Sequence, residues 1–454
     1  MSQRPTSHTI AQTATSLLSE KARVVLEQRL RAGQLRRRAE PPSDTNAIDL
    51  RSNDYLGLSH HEAIKEAAAQ AVARWGTGSS ASPLLATRHD LAKQIIQELK
   101  SSAQLPSSWD GLVVSSGFAA NLAFCDTLRL LGSDLAIFVD HRAHASLVMA
   151  ARNSGLPCYF YPHQDYGSLS KRLARCTAQH KVIVAETLHS MEGTFEPIGA
   201  LAQLCQQHHG TCLFLDEAHS AGTFGHASLA LASPQLQNIE PWLIGVMLGC
   251  GKSLSSAGGL LLMPQSLCDL GVQGARSYVY STAPSPSQMA AVLASLVQLR
   301  SEGQVLASRL QTHLLDFHSS LKTIVGSSLS TVVSTTDWDQ PAVNKVCSPD
   351  FDHGPAHNNG PRLEVGLSVL TQGTAHQHLF SPIVTIMIKD HKDAFQSLVL
   401  AHQRLEQAGF LTSLVRTPTV PAGQERIRIS FSVQKQDGWA ARLAWALSDL
   451  ARQL

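Results

Sequence analysis

Between residues 50 and about 282, short apolar runs alternate with stretches of helical periodicity. The runs cover 111–114, 135–139, 157–161, 181–185, 212–215, 243–248 and 259–263. They are apolar throughout rather than at every second position. A strand of that kind is covered on both faces, which predicts an α/β fold with a mostly parallel, seven-stranded sheet wrapped by helices. Groups that do chemistry on such a sheet gather at the C-terminal ends of its strands.

The flanking segments read differently. Residues 1–15 are rich in Ser and Thr, with no acid before Glu20, and read as a disordered leader, with a transit peptide as the weaker alternative. Residues 16–38 place Leu17, Leu18, Val24, Val25, Leu26 and Leu30 on one side of a helix, which Pro41 and Pro42 stop. Pro284-Ser285-Pro286 marks a boundary, and 287–325 reads as one long helix. The stretch 326–378, rich in Ser, Thr, Asp, His, Pro and Gly, reads largely as a partly mobile surface insertion. Strands at 383–388 and 426–431, a helix near 391–408 and a closing helix near 437–453 complete a smaller α+β domain. The expected organisation is a leader and helix over 1–49, a large domain over 50–286 and a C-terminal domain over 287–454.

At 454 residues, 43% of them hydrophobic and 16% charged, the chain has room for a large core. Lys plus Arg number 37 and Asp plus Glu 35, so bulk charge points to neither nucleic acid nor an anionic membrane as partner. No apolar run approaches the roughly 18 residues of a membrane span, and no secretory signal pattern opens the chain. Eight scattered cysteines without Cys-x-x-Cys spacing read as core residues in a reducing compartment, hence a cytoplasmic location. The 21 histidines lack metal-site spacing, and no metal is expected.

Lys252 follows the run 243–248 in a glycine-flanked turn, and Asp216 and His219 follow the run 212–215. A lysine and an Asp-x-x-His at the ends of two buried strands suit pyridoxal phosphate (PLP) chemistry. The amine forms a Schiff base with the cofactor, and the carboxylate keeps the pyridine nitrogen protonated so that the ring takes up electrons. A buried Asp216 needs such a cationic partner. Gly251-Lys252-Ser253 also mimics the end of a nucleotide-binding P-loop, but that loop requires glycine where Val246 stands. Ser115-Ser116-Gly117-Phe118 can cradle a phosphate on a helix N-terminus or form a plain strand–helix turn. His144 can stack on a planar cofactor or be structural. Ser190 can bind a ring hydroxyl or cap a helix.

Taken together, Ser52-Asn53-Asp54-Tyr55, Ser116-Gly117-Phe118, His144-Ala145-Ser146, Asp216-Glu217-Ala218-His219 and Tyr280-Ser281-Thr282 resemble the α-oxoamine synthases. That family has the type I PLP-dependent fold, and the resemblance spans roughly residues 20–445. Arg36-Arg37-Arg38, Arg416-Thr417-Pro418-Thr419 and Arg426-Ile427-Arg428 are similar to the branch that condenses L-alanine with a pimeloyl thioester, of coenzyme A or of a carrier protein, on the route to biotin. The resemblance implies that Lys252 carries the cofactor and moves protons, that Asp216 pairs with the pyridinium and that His144 stacks on the ring and contacts substrate. It gives His219 and Ser190 to the ring oxygen, and Gly117 and Phe118 to cofactor binding. Arg428 and Asn53 would take the amino-acid carboxylate, and Arg36 and Thr419 the acyl substrate. It also implies a homodimer with shared sites, in which Ser281 and Thr282 of a partner subunit reach the phosphate.

The chain departs from the family pattern at three places. Gly249 stands where a phosphate-touching Thr is usual. Ser253-Leu254-Ser255-Ser256 replaces a small-residue turn after the lysine. The loop over 78–89 reads as shortened. Two other readings stay open: a sister enzyme that uses glycine or serine with an acyl-CoA, and a non-catalytic scaffold subunit of the same fold.

Overall fold

The computed structural model describes residues 7–36, 38, 47–85, 90–102, 105–232, 239–324, 329–337, 340–347, 362–372, 377–389, 393–433 and 438–453. Helix α1 (Ser7–Arg31), strand β1 (Ile48–Asp49), α2 (Glu62–Trp75) and α3 (Leu91–Ser101) precede the main sheet. The sheet and its helices then follow as β2 (Trp109–Val114), α4 (Gly117–Leu130), β3 (Leu135–Asp140), α5 (Ala145–Asn153), β4 (Cys158–Tyr161), α6 (Tyr166–Arg175), β5 (His180–Glu186), α7 (Ile198–Gln207), β6 (Thr211–Asp216), α8 (Leu229–Ala232), β7 (Leu243–Gly249), β8 (Gly259–Pro264), α9 (Gln265–Gly274) and α10 (Arg276–Val279).

The strand order is β2-β8-β7-β6-β5-β3-β4. Strands β4, β3, β5, β6 and β7 pair in parallel, and β8 alone runs antiparallel, to both β7 and β2. The apolar runs account for this arrangement. Every residue of β3 is buried, and Phe138, Ile183, Leu213 and Leu260 lie in the core with no exposed surface. Such strands are stable only between two helical layers.

A 39-residue helix, α11 (Pro286–Ile324), leads to a second sheet. Its strands are β9 (Leu329–Asp337), β10 (Gln340–Cys347), β11 (Arg362–Gln372), β12 (Gln377–Phe380) and β13 (Ile383–Lys389). Helix α12 (Ala394–Gln407), β14 (Phe410–Leu411), β15 (Ser413–Val415), β16 (Arg426–Ser430) and α13 (Trp439–Gln453) follow. The order is β10-β9-β11-β13-β16-β15, with β12 also on β11. Strand β1 pairs in parallel with β14 and ties the segment before α2 to the C-terminal part.

Two expectations are corrected. The stretch 326–378 is not mainly a surface insertion, because β9, β10 and β11 fall in it and β11 is an interior strand of the second sheet. Leu363, Val365, Leu367 and Val369 are buried on one side of β11, while Glu364, Gly366 and Ser368 fall on the other. Period-two alternation marks a strand with one apolar face, and the turn-forming residues on either side masked it. Residues 348–361 lie outside the described residues. Helix α1 starts at Ser7, within the expected leader, and ends at Arg31 rather than near Arg38. Gly33, at φ 66°, takes the left-handed position that closes it, with Gln34 donating to the Arg29 carbonyl at 2.8 Å.

Candidate active site

Strand ends, a hairpin and the β1–β14 tether converge on one cavity of about 310 Å³. Asn53, Gly117, Phe118, His144, Asp216, His219, Gly249 and Lys252 line it, with Ser146, Glu186 and Met247. Lys252 stands in the tight connection between antiparallel β7 and β8, where Cys250 donates to the Gly258 carbonyl and Ser255 to that of Lys252. The serines after the lysine fix this loop. Ser253 Oγ meets Thr223 Oγ1 at 2.8 Å, Ser255 Oγ donates to Asp54 and Ser256 Oγ to the Gln288 carbonyl. Burial lowers the Lys252 pKa below the usual amine value, an effect that Asp216 and Glu186 oppose. A larger share of the amine is therefore neutral at physiological pH than on an exposed lysine.

Asp216 ends β6 and is 3% exposed. Its Oδ2 accepts from Asn121 Nδ2 at 2.7 Å and its Oδ1 from the Ala218 amide at 2.9 Å. Asn121 gives its other N–H to Ser146 Oγ at 2.8 Å, and that hydroxyl lies 2.7 Å from His144 Nδ1. The Ser146 amide donates to His144 Nδ1 at 3.3 Å, so that nitrogen is an acceptor and the imidazole proton sits on Nε2. His144 caps α5 in the same way, through the Ser146 amide. Burial lowers its pKa, with Asp216 opposing the shift, so the ring is neutral.

Glu186, at the end of β5, lies directly opposite Asp216 in register and accepts from the His144 amide at 2.8 Å. Burial, with the Asp216 charge adding to it, raises its pKa to about 8 against the pull of His189. His189 bonds Glu196 at 2.8 Å, and the surrounding carboxylates raise it to about 9 despite its burial.

The second sheet does not line this cavity itself but packs behind Asn53 and His219, which do. Arg428 on β16 is 5% exposed. It donates to the Ser190 carbonyl at 2.7 Å, to Ser430 Oγ at 2.8 Å and to Asn53 Oδ1 at 3.1 Å. Tyr55 Oη meets His219 Nδ1 at 2.7 Å and donates to Asn53 at 3.2 Å. Burial and the Lys252 and Arg428 charges hold His219 well below the ordinary imidazole pKa, so it is neutral. The β1–β14 pairing and the Val433-to-Tyr55 backbone bond place Asn53 beside Arg428.

A second cavity of about 710 Å³ shares His144 with the first. Arg36 and Thr419 line it and are joined there, Arg36 Nη2 donating to Thr419 Oγ1 at 2.8 Å. Ser190 lines this larger cavity and not the smaller one, and the bond it makes to Arg428 is through its carbonyl. Ser281 is half-buried and Thr282 exposed, and neither lines the smaller cavity. In the loop over 78–89, Ser79 and Ser82 bond the Pro284 and Val279 carbonyls, while residues 86–89 lie outside the described residues.

These residues fit PLP. Asp216 makes no ion pair among the described residues, so a buried carboxylate faces the cavity with room for a cation. Asn121 Oδ1 is buried without a hydrogen-bond partner among the described residues. The first turn of α4 presents amides that have no partner within the helix, and Ser116 Oγ takes only that of Ala119. Gly117 and Gly249 keep the floor open. A Cβ on Gly117 would lie 3.2 Å from Met247 Sδ, and one on Gly249 3.0 Å from Ala218 Cα. Asn121, Ser146, Glu186 and Tyr55 are site residues that the sequence reading did not single out. Ser146 and Tyr55 lie inside quoted motifs, Asn121 stands three residues after one, and Glu186 follows the run 181–185, so position at a strand end was the available signal.

The aminotransferase class I and II family model matches residues 45–438. An 8-amino-7-oxononanoate synthase of Maricaulis maris is 32% identical over 403 residues, covering 88% of this chain and 85% of that protein. A Burkholderia pseudomallei protein of the same name is 31% identical, with 88% of each covered. Among solved structures, a Sphingomonas wittichii serine palmitoyltransferase superposes with a TM-score of 0.70 at 21% identity, covering 90% of this chain and 88% of that one. An 8-amino-7-oxononanoate synthase from Francisella tularensis gives 0.63 at 22% identity, covering 90% and 98%.

Proposed function

Because the chain belongs to the α-oxoamine synthases within aminotransferase class I and II, PLP-dependent enzymes that transfer acyl groups, we propose that it condenses L-alanine with a pimeloyl thioester to give 8-amino-7-oxononanoate, CO₂ and free thiol. The observation that carries this reading is the 710 Å³ cavity that opens from His144 and holds Arg36, fixed by Thr419, in its wall. A guanidinium there favours an acyl chain ending in a carboxylate over a wholly apolar fatty chain. The names of the relatives at 31–32% identity point the same way.

Bound PLP supplies the electron sink for carbanion chemistry at Cα of the amino acid. The chain supplies the rest. Asp216, oriented by Asn121 and Ala218, is the carboxylate for the pyridine nitrogen. Gly117 and Phe118 at the start of α4 hold the phosphate. Arg428 and Asn53 take the carboxylate of alanine. Lys252 Nζ, with its lowered pKa, removes the Cα proton and returns one later. His144, with its proton on Nε2, presents a hydrogen-bond donor where the two cavities meet. The thioester carbonyl is attacked at that junction, the thiol leaves, and CO₂ departs from the alanine carboxyl. In the proposed homodimer Ser281 and Thr282 of each subunit supplement the phosphate grip of the other, compensating for Gly249.

Steady-state assays of thiol release with alanine, glycine and serine, each against pimeloyl-CoA and palmitoyl-CoA, test the reading. The expected result is turnover with alanine and pimeloyl-CoA, at least tenfold above any other pair. Preference for glycine or serine would move the chain to a sister activity. No PLP absorption band and no turnover with any pair would favour the scaffold reading.

A further inference from the structure

The chain between β5 and α7 folds into a tight hairpin. The Glu196 amide donates to the Thr187 carbonyl at 3.1 Å, that of His189 to Thr194 at 2.9 Å and that of Gly193 to His189 at 2.9 Å, while Leu188 bridges Phe195. Three consecutive residues at the tip hold arginines. The Ser190 carbonyl accepts from Arg428 Nε at 2.7 Å and the Met191 carbonyl from Arg426 Nη1 at 3.2 Å. The Glu192 carboxylate pairs with Arg142 and Arg426 at 3.2 and 3.6 Å. Gly193, at φ 70°, closes the tip against β13, where a Cβ would lie 2.5 Å from the Ile383 carbonyl oxygen. The hairpin thus reaches from the main sheet to the second one and grips both arginines of β16.

The side chains that set its shape are buried at its base. His189 Nε2 lies 2.8 Å from Glu196 Oε2, with each side chain 1% exposed. Tyr166 on α6 donates to Glu196 Oε1 at 2.8 Å, and Gln164 to the Phe195 carbonyl at 3.0 Å. Burial lowers the His189 pKa, but the hydrogen bond and charge of Glu196 and the other carboxylates outweigh it, so the two residues form an ion pair across the hairpin. Such a pair is a poorer source of stability than apolar packing of the same volume, yet it defines one geometry. His189, Glu196 and Tyr166 line neither the cofactor cavity nor the acyl cavity.

We propose that His189 and Glu196 are positioning residues for the amino-acid substrate: their pair fixes the Ser190 carbonyl, and that carbonyl fixes the Arg428 guanidinium beside Asn53, an assignment that rests on the reading of Arg428 and Asn53 as the carboxylate site. With Nε held by Ser190 and Nη1 by the Ser430 hydroxyl, the plane of the guanidinium is set and Nη2 is turned to Asn53 at 3.1 Å. A guanidinium fork binds a carboxylate over a narrow range of orientations. A hairpin that settles differently at its base therefore moves the Ser190 carbonyl and turns the fork out of that range. Ser190 acts in this scheme through its backbone, whatever its side chain does.

The test is the affinity of the PLP-loaded enzyme for L-alanine without thioester, read from the change in its visible absorption well below the melting temperature. His189→Leu removes the donor to Glu196 and should weaken alanine binding about fivefold. His189→Gln, whose Nε2 still reaches Glu196, should stay within about twofold of wild type. His189 Nδ1 also lies 4.0 Å from Glu186 Oε1, so losing the ring changes the charge beside that carboxyl as well, and a double-mutant cycle separates the two routes. Acting through Arg428, His189→Leu should add less than about twofold to the effect of Arg428→Gln. A lower melting temperature with wild-type alanine affinity, no rescue by His189→Gln, or full additivity with Arg428→Gln would each overturn the proposal. If His189→Leu does not fold, Tyr166→Phe, which removes the other donor to Glu196, should weaken alanine binding at least about twofold, and wild-type affinity there counts against the proposal equally. Wild-type affinity in Arg428→Gln would instead overturn the carboxylate site itself, and the positioning role with it.

Discussion

Replacing Glu186 by Gln separates the charge of this residue from its shape. Gln keeps an oxygen to accept from the His144 amide, now at 2.8 Å, and removes the titration. The folded-state pKa of Glu186, about 8, lies above its ordinary value of 4.5 because burial and the opposing Asp216 penalise the anion. A raised folded pKa means that stability is fully present below the unfolded pKa and is lost as pH climbs through the folded one. Within that window the loss is about 1.4 kcal/mol per pH unit, so between pH 6 and pH 8 the group removes about 2 kcal/mol from the cofactor-free protein. His189, raised to about 9, adds a loss of the same sign over its own window; Glu186 contributes to that shift, but the hydrogen bond and charge of Glu196, which the variant keeps, contribute more. Urea unfolding of cofactor-free wild type and Glu186→Gln at pH 6 and pH 8 isolates the difference. The wild type should lose about 2 kcal/mol more than the variant over that range. Parallel pH dependences in the two proteins would refute the assignment of a protonated Glu186 beside Asp216.

Three further changes probe the chain's other roles. Lys252→Ala should lower turnover by roughly a thousandfold or more, with PLP retained noncovalently and its visible absorption band altered; turnover near wild type would contradict the role of Nζ. Arg428→Gln removes the guanidinium that joins Asn53, Ser430 and the Ser190 carbonyl. It should raise KM for alanine about 10- to 100-fold, the worth of a charge-assisted pair, while KM for the thioester moves little. Arg36→Gln should do the converse, raising KM for pimeloyl-CoA about tenfold and leaving that for alanine within twofold; equal effects on both substrates would argue against an acyl role.

The main sheet was legible because its strands are buried on both faces, so that seven apolar runs stand out whatever the helices between them do. Helix α11 was legible for a related reason, having strong periodicity over many turns. Strand β11 was not. Its Glu364, Gly366 and Ser368 resemble loop residues until the apolar partners Leu363, Val365 and Leu367 are read as the other face of one strand. The extended start of α1 escaped for a different reason, since Ser and Thr are indifferent helix formers and local propensity alone left that segment undecided.

The site was legible where chemistry names the residue type. A lysine and an acid at the ends of buried strands have few structural explanations, so Lys252 and Asp216 could be chosen from position alone. The groups that orient them could not. Asn121 holds Asp216 and reaches His144 through Ser146, yet an asparagine one turn into a helix has many uses. Glu186 and Asp216 end adjacent strands, and only the register shows that they face each other. Their opposed environments then follow. Asp216 has two hydrogen-bond donors on its carboxylate, whereas Glu186 has one, and burial with the Asp216 charge beside it raises the Glu186 pKa to about 8. Of the two carboxyl groups, Asp216 is therefore the one whose oxygens are held in place to meet a cationic pyridine ring.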